Sequence, residues 1–188
     1  MSGLTDDRIV GILSHLDDRA MIIMSTAIVE DCLAWALLSH FIQKLSSDEV
    51  DRMFFGYGPL SSLSAKSSLA YALGVITPEM KHDLALIKTL RNDCAHNYNQ
   101  ISFDDPDVSQ ICGKLKLPLK EGTVKFAKPL SDNLCRNKLG ACVIAIVGLL
   151  AVGHAIHTIK LRVLADNFDK VREAGQKLSE EIKDRSLF

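Results

Sequence analysis

Residues 139–159 read LGACVIAIVGLLAVGHAIHTI, 21 consecutive positions without a formal charge, bounded by Lys138 and Lys160. A run of that length either crosses a bilayer or forms a core helix that is apolar all round. Gly140, Gly148, Gly153, His154, His157 and Thr158 interrupt its apolar surface. A second apolar stretch, 20–42, carries Glu30 and Asp31 in its middle. Two such helices packed on each other are what an α-helical core requires, so the run reads as a buried helix and no membrane contact is expected. The expected fold is therefore all-α, a multi-helix bundle with this long apolar helix at its centre.

The signals on either side are helical too. Ser46-Ser47-Asp48-Glu49 has the form of a capping box and opens a short helix ending near Phe54. The string 55–59, Phe-Gly-Tyr-Gly-Pro, breaks it. Thr77-Pro78-Glu79 supplies an N-cap, a proline at the first helical position and a first-turn acid. Leu84, Ile87, Leu90 and Cys94 then form one apolar face. Asp105-Pro106 opens a short helix that Gly113 stops, and Ser131 or Asp132 opens the long apolar one. Phe168, Val171, Gly175, Leu178 and Ile182 form a stripe at helical spacing, so 165–188 reads as an amphipathic helix that docks on the core or pairs with a second chain. The strand-like exception lies at 114–128, where Leu115, Leu117 and Leu119 alternate with polar positions and Val124 and Phe126 continue after Glu121-Gly122. This reads as a small β-hairpin or an ordered loop. One domain over 1–188 is expected for 188 residues with a 47% apolar fraction.

Composition removes several classes of function. Aromatics make up only 6% of the chain, so stacking platforms for bases are scarce, and a net charge of −1 gives no general basic coat for nucleic acid or membrane. That charge joins a half at −7, residues 1–109, to a half at +6, residues 110–188. The basic excess is densest at Lys114, Lys116, Lys120, Lys125, Lys128, Arg136 and Lys138. The five lysines 114–128 form a candidate contact patch for an acidic surface, although only one aromatic residue, Phe126, and no recognition helix accompany them. The five cysteines, 32, 94, 112, 135 and 142, include no C-x-x-C pair, which fits a reducing, cytoplasmic setting and signals no zinc site. The first seven residues have neither a basic nor an apolar segment, so no secretory leader is expected. His154 and His157 have no further ligand at metal spacing. No metal or cofactor motif is found, and no enzyme signature such as G-x-S-x-G is present.

The most distinctive string is Arg91-Asn92-Asp93-Cys94-Ala95-His96. Arg91 can hold a phosphate while His96 moves a proton. Alternatively, Arg91 forms an ion pair with Glu30 or Asp31, which need a partner inside an apolar helix, and His96 caps a helix end. From chemistry alone the two remain open, with the structural reading ahead.

The order of strings from 54 to 96 resembles the mannitol operon repressor family. It has a gly-x-x-pro-leu turn at Gly56 to Leu60, a helix ending in Leu73-Gly74-Val75-Ile76, and the arg-asn-x-x-ala-his helix end at 91–96. The resemblance covers roughly residues 20–165. It implies a helical bundle and a transcriptional regulator that represses mannitol and carbohydrate uptake and use. With no basic recognition helix in evidence, such a regulator is expected to act through a protein partner of the transcription or sugar-uptake machinery, with a homodimer as one arrangement. The last string is also similar to the motif of HEPN domains, helical bundles that include metal-independent ribonucleases and toxin-related modules. On that alternative Arg91 and His96 would be the catalytic pair and Asn92 the polar residue beside them.

Overall fold

The computed structural model describes residues 6–41, 43–96, 101–117 and 131–185. They form α1 (Asp6–Ser14), α2 (Asp18–Ser39), α3 (Ser47–Phe54), α4 (Leu63–Ala72), α5 (Pro78–His96), α6 (Pro106–Gly113) and α7 (Leu134–Arg185), with no strand among the described residues. The all-α bundle expected from the sequence is what is found. Of the hairpin at 114–128, residues 118–128 lie outside the described part. Residues 114–117 are a turn and a short irregular segment.

The helix boundaries follow local chemistry. Ser46 caps α3 and Glu49 returns a hydrogen bond to the Ser46 backbone N–H at 2.8 Å, closing the capping box. The Thr77 hydroxyl accepts from Met80 N–H at 3.2 Å, with Pro78 in the first helical position. Asp105 precedes α6, but its carboxylate accepts from Ser102 N–H instead of the helix. α7 opens one or two residues later than expected. The Asn133 side chain, not Ser131 or Asp132, accepts from Arg136 N–H at 3.0 Å, while the Ser131 hydroxyl accepts from Asn133 N–H. A short polar side chain held by a preceding turn makes the better cap. In the turn after α3 only glycine fits at position 58, since a Cβ there would lie 2.3 Å from the Arg52 carbonyl oxygen. Gly74 takes φ +70° just after α4, the left-handed end that suits glycine.

α2 is the hub. It packs on α7, α5 and α4, with Ile22, Val29, Leu33 and Leu37 meeting Leu84, Ile87 and Leu90 of α5 and Val143, Ile146 and Leu150 of α7. Residues 139–147 are buried on every side, as their lack of charge requires. Asp18–Ser39 and Leu134–Val163 are each long and apolar enough to cross a membrane, and just over half of the most apolar 18 residues of each are buried inside the bundle.

Two buried polar ties fix the frame. Arg136 donates to the Asp18 carboxylate at 2.7 Å and to the Leu13 and Leu16 carbonyls, closing the exposed end of α1. Asp83, fully buried on α5, accepts from the N–H groups of Lys116 and Leu117 at 2.9–3.0 Å. The α7 helix is 52 residues long, about 78 Å at 1.5 Å per residue. From Ala151 onward its described side chains are mostly exposed. The stripe from Phe168 to Ile182 falls within α7, but those side chains lie outside the described residues.

Candidate functional site

Two concavities open beside adjacent residues of α2, on different faces, because successive residues of a helix point about 100° apart. Glu30 faces one and Asp31 the other.

The first is a cleft of about 230 Å³ lined by Thr26 and Glu30 of α2, Ser61 and Ser62 before α4, Leu63 of α4, and Lys88, Arg91 and Asn92 of α5. At its side Lys66, almost wholly buried, donates to Glu30 at 2.6 Å and to the Ser61 carbonyl at 3.3 Å. A buried ammonium needs such a partner, and this pairing occupies Glu30. Arg91 shares the cleft with Glu30, is exposed, and donates to the Asn92 amide oxygen at 3.3 Å. Asp31 does not line this cleft. α5 continues as regular helix to His96, which sets Arg91 and His96 roughly 140° apart around its axis. His96 is exposed and lines neither concavity. The pair is therefore not gathered at one point. The end of α5 is closed instead by Arg19, which donates to the Cys94 carbonyl at 2.6 Å.

The second concavity is larger, about 540 Å³, and apolar. Ala34, Trp35, Leu38, Phe41, Val50, Phe54 and Phe55 line it, with Asp31, Lys44 and Asp51 among them. Trp35 is 60% exposed and Phe55 57% exposed; Tyr57, in the following turn, projects fully into solvent. Sequence reasoning passed over this groove. The signal available was Trp35 four residues after Asp31, an aromatic on the same face as a charge and thus turned away from the core.

Of the candidate basic patch, Lys114 and Lys116 are exposed, whereas Lys120, Lys125 and Lys128 lie outside the described residues. Arg136 is buried in its tie to Asp18, and Lys138 donates to the Gly113 carbonyl at 2.7 Å, so both are used inside the fold. Burial pushes the Cys112 thiol up to about 12. Burial, reinforced by Asp83, pushes Cys142 up as well. These thiols are inert apolar groups at neutral pH. No group of three or more metal-ligating side chains occurs among the described residues.

Residues 5–138 match the sequence model of the family described as mannitol repressor. The mannitol operon repressors of Escherichia coli strains K12 and CFT073 are each 35% identical to the chain over 66 residues, which is 35% of this chain and 34% of theirs. The match thus spans about a third of the length of these curated relatives. The fold is similar to that in the X-ray structure of the MtlR-HPr complex from Escherichia coli. The TM-score is 0.57 at 21% identity, covering 78% of this chain and 96% of that one. It is also similar to YggD of Shigella flexneri 2a strain 2457T, described as a possible transcriptional regulator. There the TM-score is 0.59 at 18% identity, covering 80% and 98%. At these identities the solved structures speak for the fold alone.

Proposed function

The chain belongs to the mannitol repressor family, and on that premise we propose that it is a repressor-type regulator of mannitol and related carbohydrate uptake and use that works by binding another protein. The proposed partner is HPr, the protein held by the Escherichia coli relative in its solved complex. The proposed place is the apolar groove of α2 and α3. One observation carries the reading: Trp35 and Phe55 stand more than half exposed at the edge of a groove large enough to seat apolar side chains. Trp and Tyr are the residue types that concentrate binding energy at interfaces, and a contiguous exposed apolar patch marks a contact surface. Asp31 and Asp51 outnumber Lys44 at the groove, which favours a partner patch with basic residues around it. Lys114 and Lys116, with Lys120, Lys125 and Lys128 after them, form an auxiliary contact for an acidic surface. The setting is the cytoplasm, and the chain acts as a single domain.

Calorimetric titration of HPr into the full chain tests this. Saturable binding is expected, with Trp35→Ala losing about 2 kcal/mol of binding free energy and keeping its helical circular dichroism. Absence of any heat or complex with the unaltered chain contradicts the choice of partner. Full-strength binding by Trp35→Ala contradicts the choice of place.

A further inference from the structure

We infer that the groove between α4 and α5 binds a small phosphomonoester whose organic part carries hydroxyl groups. This groove, about 340 Å³, adjoins the Glu30 cleft and shares Leu63, Lys88 and Asn92 with it. Its α5 wall is a stripe at helical spacing, Lys81, Ala85, Lys88 and Asn92. Its α4 wall is Ser64, Ser67 and Ser68. Basic side chains therefore face hydroxyls, and no carboxylate lines the groove among the described residues. In the adjoining cleft Arg91 adds a third cation, and the one carboxylate there, Glu30, is taken by Lys66. Lys88 has no ion pair or hydrogen bond among the described residues. Lys81 lies 4.3 Å over the Tyr71 ring, which holds its charge at the other end of the groove.

The start of α4 stands where the two concavities join, since Leu63 lines both. The Ser62 hydroxyl accepts only from Ala65 N–H, at 3.2 Å. The N–H groups of Leu63 and Ser64 have no acceptor within a helix that begins there, and no acidic residue occupies the first turn. That end carries partial positive charge and favours an anion.

A second observation, independent of the helix end, also points to a ligand. Ser67 is only 7% exposed and lines the groove, yet its hydroxyl has no hydrogen-bond partner among the described residues. It does not turn back to its own helix, as Thr26 does to the Ile22 carbonyl at 3.0 Å. An enclosed hydroxyl needs a partner, and an occupant of the groove supplies it. A phosphate group at the α4 end matches the N–H groups, Lys88 and Arg91. Hydroxyls on the rest of the molecule match Ser67, Ser68 and Asn92. The volume suits a small molecule. The inference does not depend on HPr, because the Trp35 groove lies on another face of α2.

Nuclear magnetic resonance titration of the ¹⁵N-labelled full chain at constant ionic strength tests it, with glycerol 3-phosphate, methyl phosphate and glycerol as probes. The backbone N–H signals of Leu63 and Ser64 are expected to move saturably with glycerol 3-phosphate. Methyl phosphate is expected to bind at least about threefold more weakly, and glycerol not at all. Lys88→Gln is expected to raise the dissociation constant for glycerol 3-phosphate at least about tenfold. Ser67→Ala is expected to bind the two phosphates equally. Lys88 is exposed and the Ser67 hydroxyl bonds to nothing in the chain, so both variants are expected to keep their helical circular dichroism. No saturable movement of these signals overturns the inference. Equal affinity of the unaltered chain for the two phosphates overturns it, as does binding insensitive to Lys88→Gln.

Discussion

Asp83 holds α5 to the segment that follows α6, and its environment explains why an ionisable group can sit fully buried there. The backbone N–H groups of Lys116 and Leu117 donate to its carboxylate, His82 Nδ1 lies 2.9 Å from it, and the Cys142 thiol reaches it at 3.5 Å. Asp83→Ala removes the acceptor and leaves buried donors unpaired, an expected loss of about 3 kcal/mol. Urea unfolding measures it, and a loss below about 0.5 kcal/mol would show that the tie is unimportant. His157 illustrates a different balance. Its ring stacks on His40 with centroids 3.9 Å apart, where α7 leaves α2. Desolvation lowers its pKa below the ordinary histidine value of about 6.5, and His40, His154 and Lys160 add to the effect. The unfolded chain therefore takes up this proton first as the pH falls. Its contribution to stability is complete above about 6.5 and declines below it, towards the lowered folded value. The melting temperature of the unaltered chain should fall between neutral pH and pH about 5, and His157→Gln should fall less. An equal decline in the two proteins would remove His157 from the account.

At the scale of elements, the turn between α3 and α4 is the most constrained by sterics. Gly58→Ala would drive a Cβ into the Arg52 and Met53 carbonyls, with an expected cost of about 2 kcal/mol or more. Unchanged thermal stability would mean that the turn relaxes freely. Helices α2, α3, α5, α6 and α7 were legible in the sequence, because the signals that set them are local, whereas α1 was not read and α4 entered only through the family resemblance. The Ser46 capping box, Thr77-Pro78 and the Leu84–Ile87–Leu90–Cys94 face all act within a few residues. Pairings over long separations were not legible. Glu30 meets Lys66, 36 positions away, and Arg136 meets Asp18, 118 positions away. Nothing in the string around any of the four states its partner. The sites followed the same division. The Arg91-Asn92-His96 string stood out by composition, but the direction of each side chain depends on α5 staying helical through His96. The Trp35 groove appears only when α3 is laid beside α2. Because Arg91 and His96 point apart, the ribonuclease alternative makes a poor fit with this geometry. RNA incubated with the chain without metal is expected to remain intact, and cleavage abolished by both Arg91→Ala and His96→Ala would restore that alternative.

For the whole molecule, the division of charge between an acidic first part and a basic second part is partly absorbed by the fold. Arg136 pairs with Asp18 across the two halves, and Lys138 caps α6. Among the described residues, the surfaces left for recognition include the aromatic groove on α2 and α3 and the exposed Lys114 and Lys116 after α6. This surface suits a protein better than a nucleic-acid backbone, where affinity rests on many phosphate contacts and falls steeply with salt. This repressor-family chain is proposed to recognise a protein directly. The most direct test is fluorescence anisotropy in one buffer, titrating the chain separately into labelled HPr and labelled mannitol-operon promoter DNA. Saturable binding to HPr and no sequence-dependent binding to the DNA are expected. Tight, sequence-specific, salt-weakened binding to the promoter with no response from HPr would contradict the proposal.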